Sequence, residues 1–254
     1  MDSPEMNDRL ILCYDCEIEK TSALCTKHGL GIEIQSFYHP DNYSDENIAL
    51  HKTFLSKINL RSIHGPYGDL CPGSFDNLLR EVARKRFIQA SKVATDLGIN
   101  NMILHNGYVP NTSYIKNYVK RAVIFWKELL AEIDSGLSIY IENHLENDPA
   151  IMMDIVDEIA NNRFGINIDI GHINFSSKMS VVDWIRKCNK RIKYFHLHDN
   201  NGTRDEHVAF GKGNIPFNDV FHAIKEYCDN PLMAIETQSD QLEESILWIN
   251  EYCT

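Results

Sequence analysis

Residues 191–213 read RIKYFHLHDNNGTRDEHVAFGKG. The stretch opens as a short β-branched and aromatic run and turns polar within a few residues. It then carries His196, His198, Asp199, Asp205 and His207 into a loop that closes on Gly211 and Gly213. A strand that ends in a burst of imidazoles and carboxylates presents metal-type ligands at one rim of a sheet. His196 and His198 share a face of this strand because side chains alternate, and Asp205 and His207 share one if their segment is extended. Gly211 and Gly213 either let the backbone approach a ligand or simply form a turn.

Working outward, the same theme recurs. Upstream, strands are expected at 10–16, 31–38, 61–67, 101–108, 137–144 and 164–172. The opening stretch supplies 192–198, and 232–237 follows it. Helical spacing falls between them at 20–28, 47–58, 74–97, 112–133, 180–190, 218–228 and 241–252. A further helix is started by Asp148, with Pro149 in its first turn. Ser74 is the expected N-cap of the long third helix and Gly98 its stop. Strict alternation argues for parallel strands joined by right-handed crossovers. Eight such units in 254 residues predict an α/β protein, a (β/α)8 barrel forming a single domain over 1–254. An open doubly wound sheet would want a Gly-rich phosphate turn after an early strand, and the sequence has none.

In a barrel the last residues of every strand meet at the C-terminal rim. These are His64, His105, Glu142 with His144, Asp169 with His172, His196 with His198, and Glu236, with Asp205 and His207 arriving on a loop. Clustered buried carboxylates repel, and each carries a large desolvation cost that a divalent cation removes. Mixed nitrogen and oxygen ligands without a close cysteine point to zinc, manganese, cobalt, iron or magnesium. The amide of Asn143 is placed to orient Glu142, and Gly171 breaks the sixth strand so that Asp169 and His172 both turn inward. Tyr67 and Phe210 are either pocket walls or core. His28, His39, His51 and His222 fall in helices or loops and need only packing or surface roles.

Bulk properties narrow the function classes. Lys and Arg number 25 against 36 Asp and Glu, a formal charge of −11, which disfavours a general phosphate-backbone binder. Seven scattered cysteines include a Cys13–Cys16 spacing but no second close pair, so reduced thiols in a cytoplasmic protein are expected. The acidic start MDSPEMNDRL lacks an apolar core and no run approaches a membrane span; neither a signal peptide nor a membrane partner is expected.

With these residues placed, the chain resembles the xylose isomerase-like barrel superfamily, which holds sugar and sugar-phosphate isomerases and epimerases together with endonuclease IV (AP endonuclease family 2). The resemblance runs through HGPYGDL (64–70), IEN (141–143), DIGH (169–172), HLHDN (196–200), DEH (205–207), GKGNI (211–215) and IET (235–237). In the isomerase branch it implies one divalent metal (zinc, manganese, cobalt or magnesium) on Glu142, Asp169, His196 and Glu236. Glu142 and Glu236 also form the acid/base pair that moves a proton through an enediolate. His64, His105, His172, His198 and Lys212 are the implied substrate contacts. In the endonuclease branch the same resemblance implies three zinc ions on His64, His105, Glu142, Asp169, His172, His196, Asp205, His207 and Glu236. The presence of His198 beside His196 leaves the seventh-strand ligand open.

The net charge, the few basic residues in the rim loops (Lys212 and Arg204 foremost) and the compact length, with little room for DNA-penetrating insertions, weigh against a nucleic-acid partner. The expectation is a metal-dependent isomerase or epimerase of a small sugar or sugar phosphate, with an abasic-site phosphodiesterase as the alternative. A non-catalytic sugar-binding barrel would leave the crowded rim unexplained. A homo-oligomer is compatible with the sequence.

Overall fold

The computed structural model describes residues 8–14 and 17–252. Its eight strands are β1 Leu10–Tyr14, β2 Gly31–Ile34, β3 Arg61–His64, β4 Asn101–His105, β5 Ser138–Glu142, β6 Phe164–Asp169, β7 Ile192–Leu197 and β8 Leu232–Ile235. Each pairs in parallel with the next, and β8 pairs with β1, closing the barrel. Among the described residues the helices are α1 Ile18–His28, α2 Asp45–Leu55, α3 Asn77–Asp96, α4 Ile115–Glu132, α5 Ala150–Ile159, α6 Ile170–Ser176, α7 Val181–Cys188, α8 Phe217–Tyr227 and α9 Leu242–Tyr252. None of them is long and apolar enough to cross a membrane.

The core has two parts. Outward-facing residues such as Leu12, Ile32, Ile34 and Leu104 pack with Phe87, Trp126 and Trp184 of the helices. A smaller cluster of Ile11, Cys13, Ile103, Tyr194 and Ala234 fills the barrel interior below the rim. Burying these branched and aromatic groups supplies the driving force, roughly 25 cal/mol for each Å² of apolar surface removed from water.

The strand ends depart from the sequence expectation in ways that shape the rim. The second strand stops at Ile34, and Ser36–Tyr38 form a 3-10 turn. The sixth stops at Asp169, three residues early, because Asp169 caps α6: its Oδ1 accepts the His172 amide at 2.7 Å. That extra short helix turns His172 back toward the barrel axis. Ser74 does not cap α3; it accepts the amide of Asp76, and Asp76 is the cap. Pro149 occupies the cap position of α5, with Asp148 accepting the amide of Ala150. Cys16 and Cys253 lie outside the described residues, so the Cys13–Cys16 spacing receives no structural account.

Candidate metal centre

The rim encloses a cavity of about 770 Å³, within the range of small-molecule sites. His64, His105, Glu142, His144, His172, Asp205, His207 and Glu236 line it, with Tyr38 and Tyr67 at the mouth. Glu142 sits at its centre. One carboxylate oxygen, Oε2, lies 3.2 Å from His64 Nε2 and from His196 Nδ1. The other, Oε1, lies 3.3 Å from His172 Nδ1 and 3.6 Å from His105 Nε2. Glu236 Oε2 approaches the same His196 Nδ1 at 3.2 Å, and Asp169 Oδ2 stands 4.0 Å from it. A second knot forms around Asp205. His207 Nε2 is 2.9 Å, His172 Nε2 3.3 Å and His198 Nε2 3.4 Å from its oxygens, and His198 also reaches Asp169 Oδ1 at 3.2 Å. Ligand-type atoms close enough to share an ion occur, among the described residues, in five overlapping groups: Cys13–Glu33–His196, His64–His105–Glu142, Glu142–Asp169–His196, Asp169–His198–Glu236 and His198–Asp205–His207.

Ring tethers decide which nitrogen each histidine offers. His64, His172 and His207 lie 2.8, 2.8 and 2.7 Å by Nδ1 from the backbone carbonyls of Gly65, Asn143 and Glu236. A carbonyl only accepts, so Nδ1 carries the proton and Nε2 faces the cavity or Asp205. Orientation of a ligand ring by its other nitrogen is the usual second layer of a metal site.

Does this set fit a divalent cation? Asp169 Oδ2 is fully buried and accepts no hydrogen bond. An ionised oxygen left so is costly unless a cation faces it. Mixed imidazole and carboxylate donors on one wall supply that environment, and the residues therefore fit the ion that the rim chemistry suggested.

A sequence profile of the xylose isomerase-like TIM barrels matches residues 23–252. The chain belongs to this family. An uncharacterized protein of Methanocaldococcus jannaschii, MJ1311, is 31% identical over 189 residues, which cover 70% of this chain and 64% of that protein, just under two thirds of its length. A second from the same organism, MJ1614, is 31% identical over 212 residues, covering 82% of this chain and 80% of that one. A probable endonuclease 4 of Mycobacterium leprae is 24% identical over 201 residues, covering 74% of this chain and 77% of that one. Among solved structures, the TTHB071 protein from Thermus thermophilus, soaked with ZnCl2, superposes with a TM-score of 0.78 at 20% identity over 96% of this chain and 97% of that one. A D-allulose 3-epimerase from Methylomonas sp. does so with 0.77 at 16% identity over 97% and 98%. At such identities the superpositions speak to the fold.

Protonation in this xylose isomerase-like barrel follows from burial set against pairing. Burial pushes His172 down, but Asp169, Asp205 and Glu142 outweigh it and hold the imidazole well above its ordinary value. His196 is raised likewise, burial being overcome by Glu236, Glu33 and Glu142. For His207, burial is overcome chiefly by Asp205, and the ring is pushed up to about 10. His105 goes the other way: burial lowers it to about 3, only partly offset by Glu142. Glu142, although buried, is held well below the carboxylate range by His196, His105 and His172. Asp169, also buried, is held near 2 by His172 and His198. Protons on the imidazoles thus offset the buried carboxylate charge.

Several expected roles shift. His196 and His198 are both buried and face different groups: His196 turns to Glu142 and Glu236, His198 to Asp169 and Asp205. Lys212 is not among the cavity lining; its Nζ pairs with Glu244 at 2.8 Å. Asn143 orients Asp169 rather than Glu142, exchanging two hydrogen bonds with its backbone, while Asn167 donates to Glu142 at 3.1 Å. Gly211 and Gly213 approach a side chain and not a cavity ligand: Asp199 Oδ2 accepts both their amides, at 3.0 and 2.9 Å. Tyr67 is a pocket wall, whereas Phe210 is core, stacked on Phe217. The sequence reading missed Glu33, fully buried in the middle of β2, and Glu146, buried beside Asn106. An acid between Ile32 and Ile34 in a short strand was the available signal for Glu33.

Proposed function

We propose that this chain is a divalent-metal-dependent isomerase or epimerase of a small sugar, with Glu142 and Glu236 as the proton-transfer pair. The observation that carries the reading is that Glu142 and Glu236 both line one cavity and both reach the same nitrogen, His196 Nδ1, at 3.2 Å. Two bases converging on one locus are what removal of a proton from one face of a carbon and return to the other requires. Glu142, Asp169, His196 and Glu236 would hold the ion, which when bound would supply charge stabilisation at the substrate's oxygens. Asn167 steadies Glu142, and Gln35 donates to Glu236 Oε1 at 2.5 Å, so each carboxylate has one oxygen tied.

The substrate favoured is an uncharged sugar. Among the described residues no Lys or Arg lines the cavity, and residues 1–7, 15, 16, 253 and 254 contain neither. Tyr38 and Tyr67 stack with centroids 5.7 Å apart, and Tyr67 stacks on His105 at 4.8 Å, giving a flat apolar wall for the C–H face of a sugar. The test is solvent-deuterium incorporation into a panel of free ketoses and aldoses by the metal-loaded protein. E142Q and E236Q should each lower turnover by about 10²–10⁴-fold while the circular dichroism spectrum is kept. Full activity in either variant rules out the pair.

A second reading has its own support. Three of the five ligand groups, His64–His105–Glu142, Glu142–Asp169–His196 and His198–Asp205–His207, would suit three ions, and a relative named probable endonuclease 4 aligns with 74% of the chain. Elemental mass spectrometry separates the two: about one divalent ion per chain keeps isomerisation ahead, and about three, with cleavage of an abasic duplex, establishes phosphodiester hydrolysis.

A further inference from the structure

His196 is held differently from the other anchored rim histidines. Where His64, His172 and His207 are tied through Nδ1 to backbone carbonyls, His196 is reversed. Its Nε2 points down into the barrel, 3.1 and 3.2 Å from the two oxygens of Glu33, and its Nδ1 faces Glu142 and Glu236.

Glu33 is fully buried and fully engaged. Tyr194 donates its hydroxyl to Oε2 at 2.6 Å, and the Tyr194 oxygen is 2.7 Å from Ser62 Oγ. Cys13 Sγ and Gln35 Nε2 donate to Oε1 at 3.6 and 3.4 Å. Cys13, Glu33 and Ser62 are register partners on β1, β2 and β3, so three adjacent strands and β7 build this polar floor. Glu33 does not line the cavity, so it reaches the site through His196.

We propose that Glu33 is the positioning residue of the metal centre: it accepts the Nε2 proton of His196, fixes the ring's tautomer and plane, and leaves Nδ1 as the ligand atom. Tyr194 and Ser62 hold Glu33 in turn. A carboxylate behind a ligand imidazole also raises the basicity of the ligating nitrogen, and loss of such a partner typically weakens metal binding about 10–100-fold. The proposal rests on the metal site of the preceding reading and not on the reaction assigned to it.

The test is competition of zinc and cobalt(II) with a chromophoric chelator for the full chain, for E33A and for E33Q. E33A should bind each ion about 10–100-fold more weakly, with an altered cobalt(II) visible spectrum. E33Q keeps an acceptor for the Nε2 proton and should recover most of the affinity. A merely structural role would lower the melting temperature of metal-free E33A and leave its metal affinity at the wild-type level, and that result overturns the proposal. Should E33A not fold, two-bond nitrogen–proton spectra of the zinc-loaded wild type decide it. The expected state of His196 is protonated Nε2 and metal-bound Nδ1. The opposite tautomer, or a thiolate-to-cobalt charge-transfer band from Cys13, overturns it. A wild type that binds no divalent ion removes the metal centre itself and the proposal with it.

Discussion

At the scale of single residues, Gly171 shows how tightly the second knot is built. A Cβ placed there would lie 1.9 Å from His198 Cε1 and 2.3 Å from its Nε2, so only glycine lets that imidazole lie against the start of α6. The sequence reading had Gly171 as a strand breaker, and it does stand just past the break. Its lack of a side chain, however, serves His198 rather than the chain direction. G171A is expected to cost about 1–3 kcal/mol in urea denaturation, the usual penalty for overpacking a filled interior. In an H198A background the same substitution should cost clearly less, since the colliding ring is gone, giving a measurable coupling between the two positions. Equal costs in both backgrounds would place the strain elsewhere.

At the scale of elements, the junction of β6 and α6 combines two functions in Asp169. One oxygen caps the helix, and the other is the buried oxygen that accepts no hydrogen bond and would face the proposed ion. D169N and D169A should both weaken metal binding in the chelator assay. Only D169A also loses the cap, so its metal-free form should unfold about 1 kcal/mol more easily than that of D169N. This junction also marks how far the sequence could be read. Strand cores such as NMILH and IKYFHL were legible because β-branched and aromatic runs alternate with amphipathic helices, and the rim ligands were legible because they sit where those runs end. The sixth strand reads three residues too long because Asp169 suits both a strand-end ligand and a helix cap, and its contact with the His172 amide decides for the cap. Glu33 is not legible from the strand ends because it is an inward position one layer lower, apparent only once β1, β2, β3 and β7 are brought together. Lys212 is implied as a substrate contact by the family resemblance, and its pairing with Glu244 depends on where α9 returns.

At the scale of the whole molecule, the charge held at the rim makes stability and metal loading respond to pH in opposite senses. His172, His196 and His207 have folded-state values raised above the ordinary histidine range of about 6.5. Their contribution to stability is therefore complete below about 6.5 and is lost as pH rises through the folded values, near 10 for His207. Asp169, lowered to about 2, contributes above its unfolded value of about 3.9 and loses that only as pH falls toward 2. The metal-free barrel should thus lose thermal stability from about pH 7 upward. A divalent ion competes for the same nitrogens, so its affinity should climb over that interval. Calorimetric melting with chelator and with zinc at about pH 6, 7.5 and 9 should show the gap between the two forms widening with pH. A narrowing gap contradicts the assignment of those protons. The tethers of the rim histidines have a last consequence, for variation. Three of the rings are steered by main-chain oxygens that every residue type supplies, so mutation at Gly65, Asn143 or Glu236 cannot delete the acceptor itself. The ring of His196 leans on a side chain, which a single codon change can remove or recharge. Among these four tethered rings, heritable tuning toward a different ion or a different pH is therefore concentrated at Glu33.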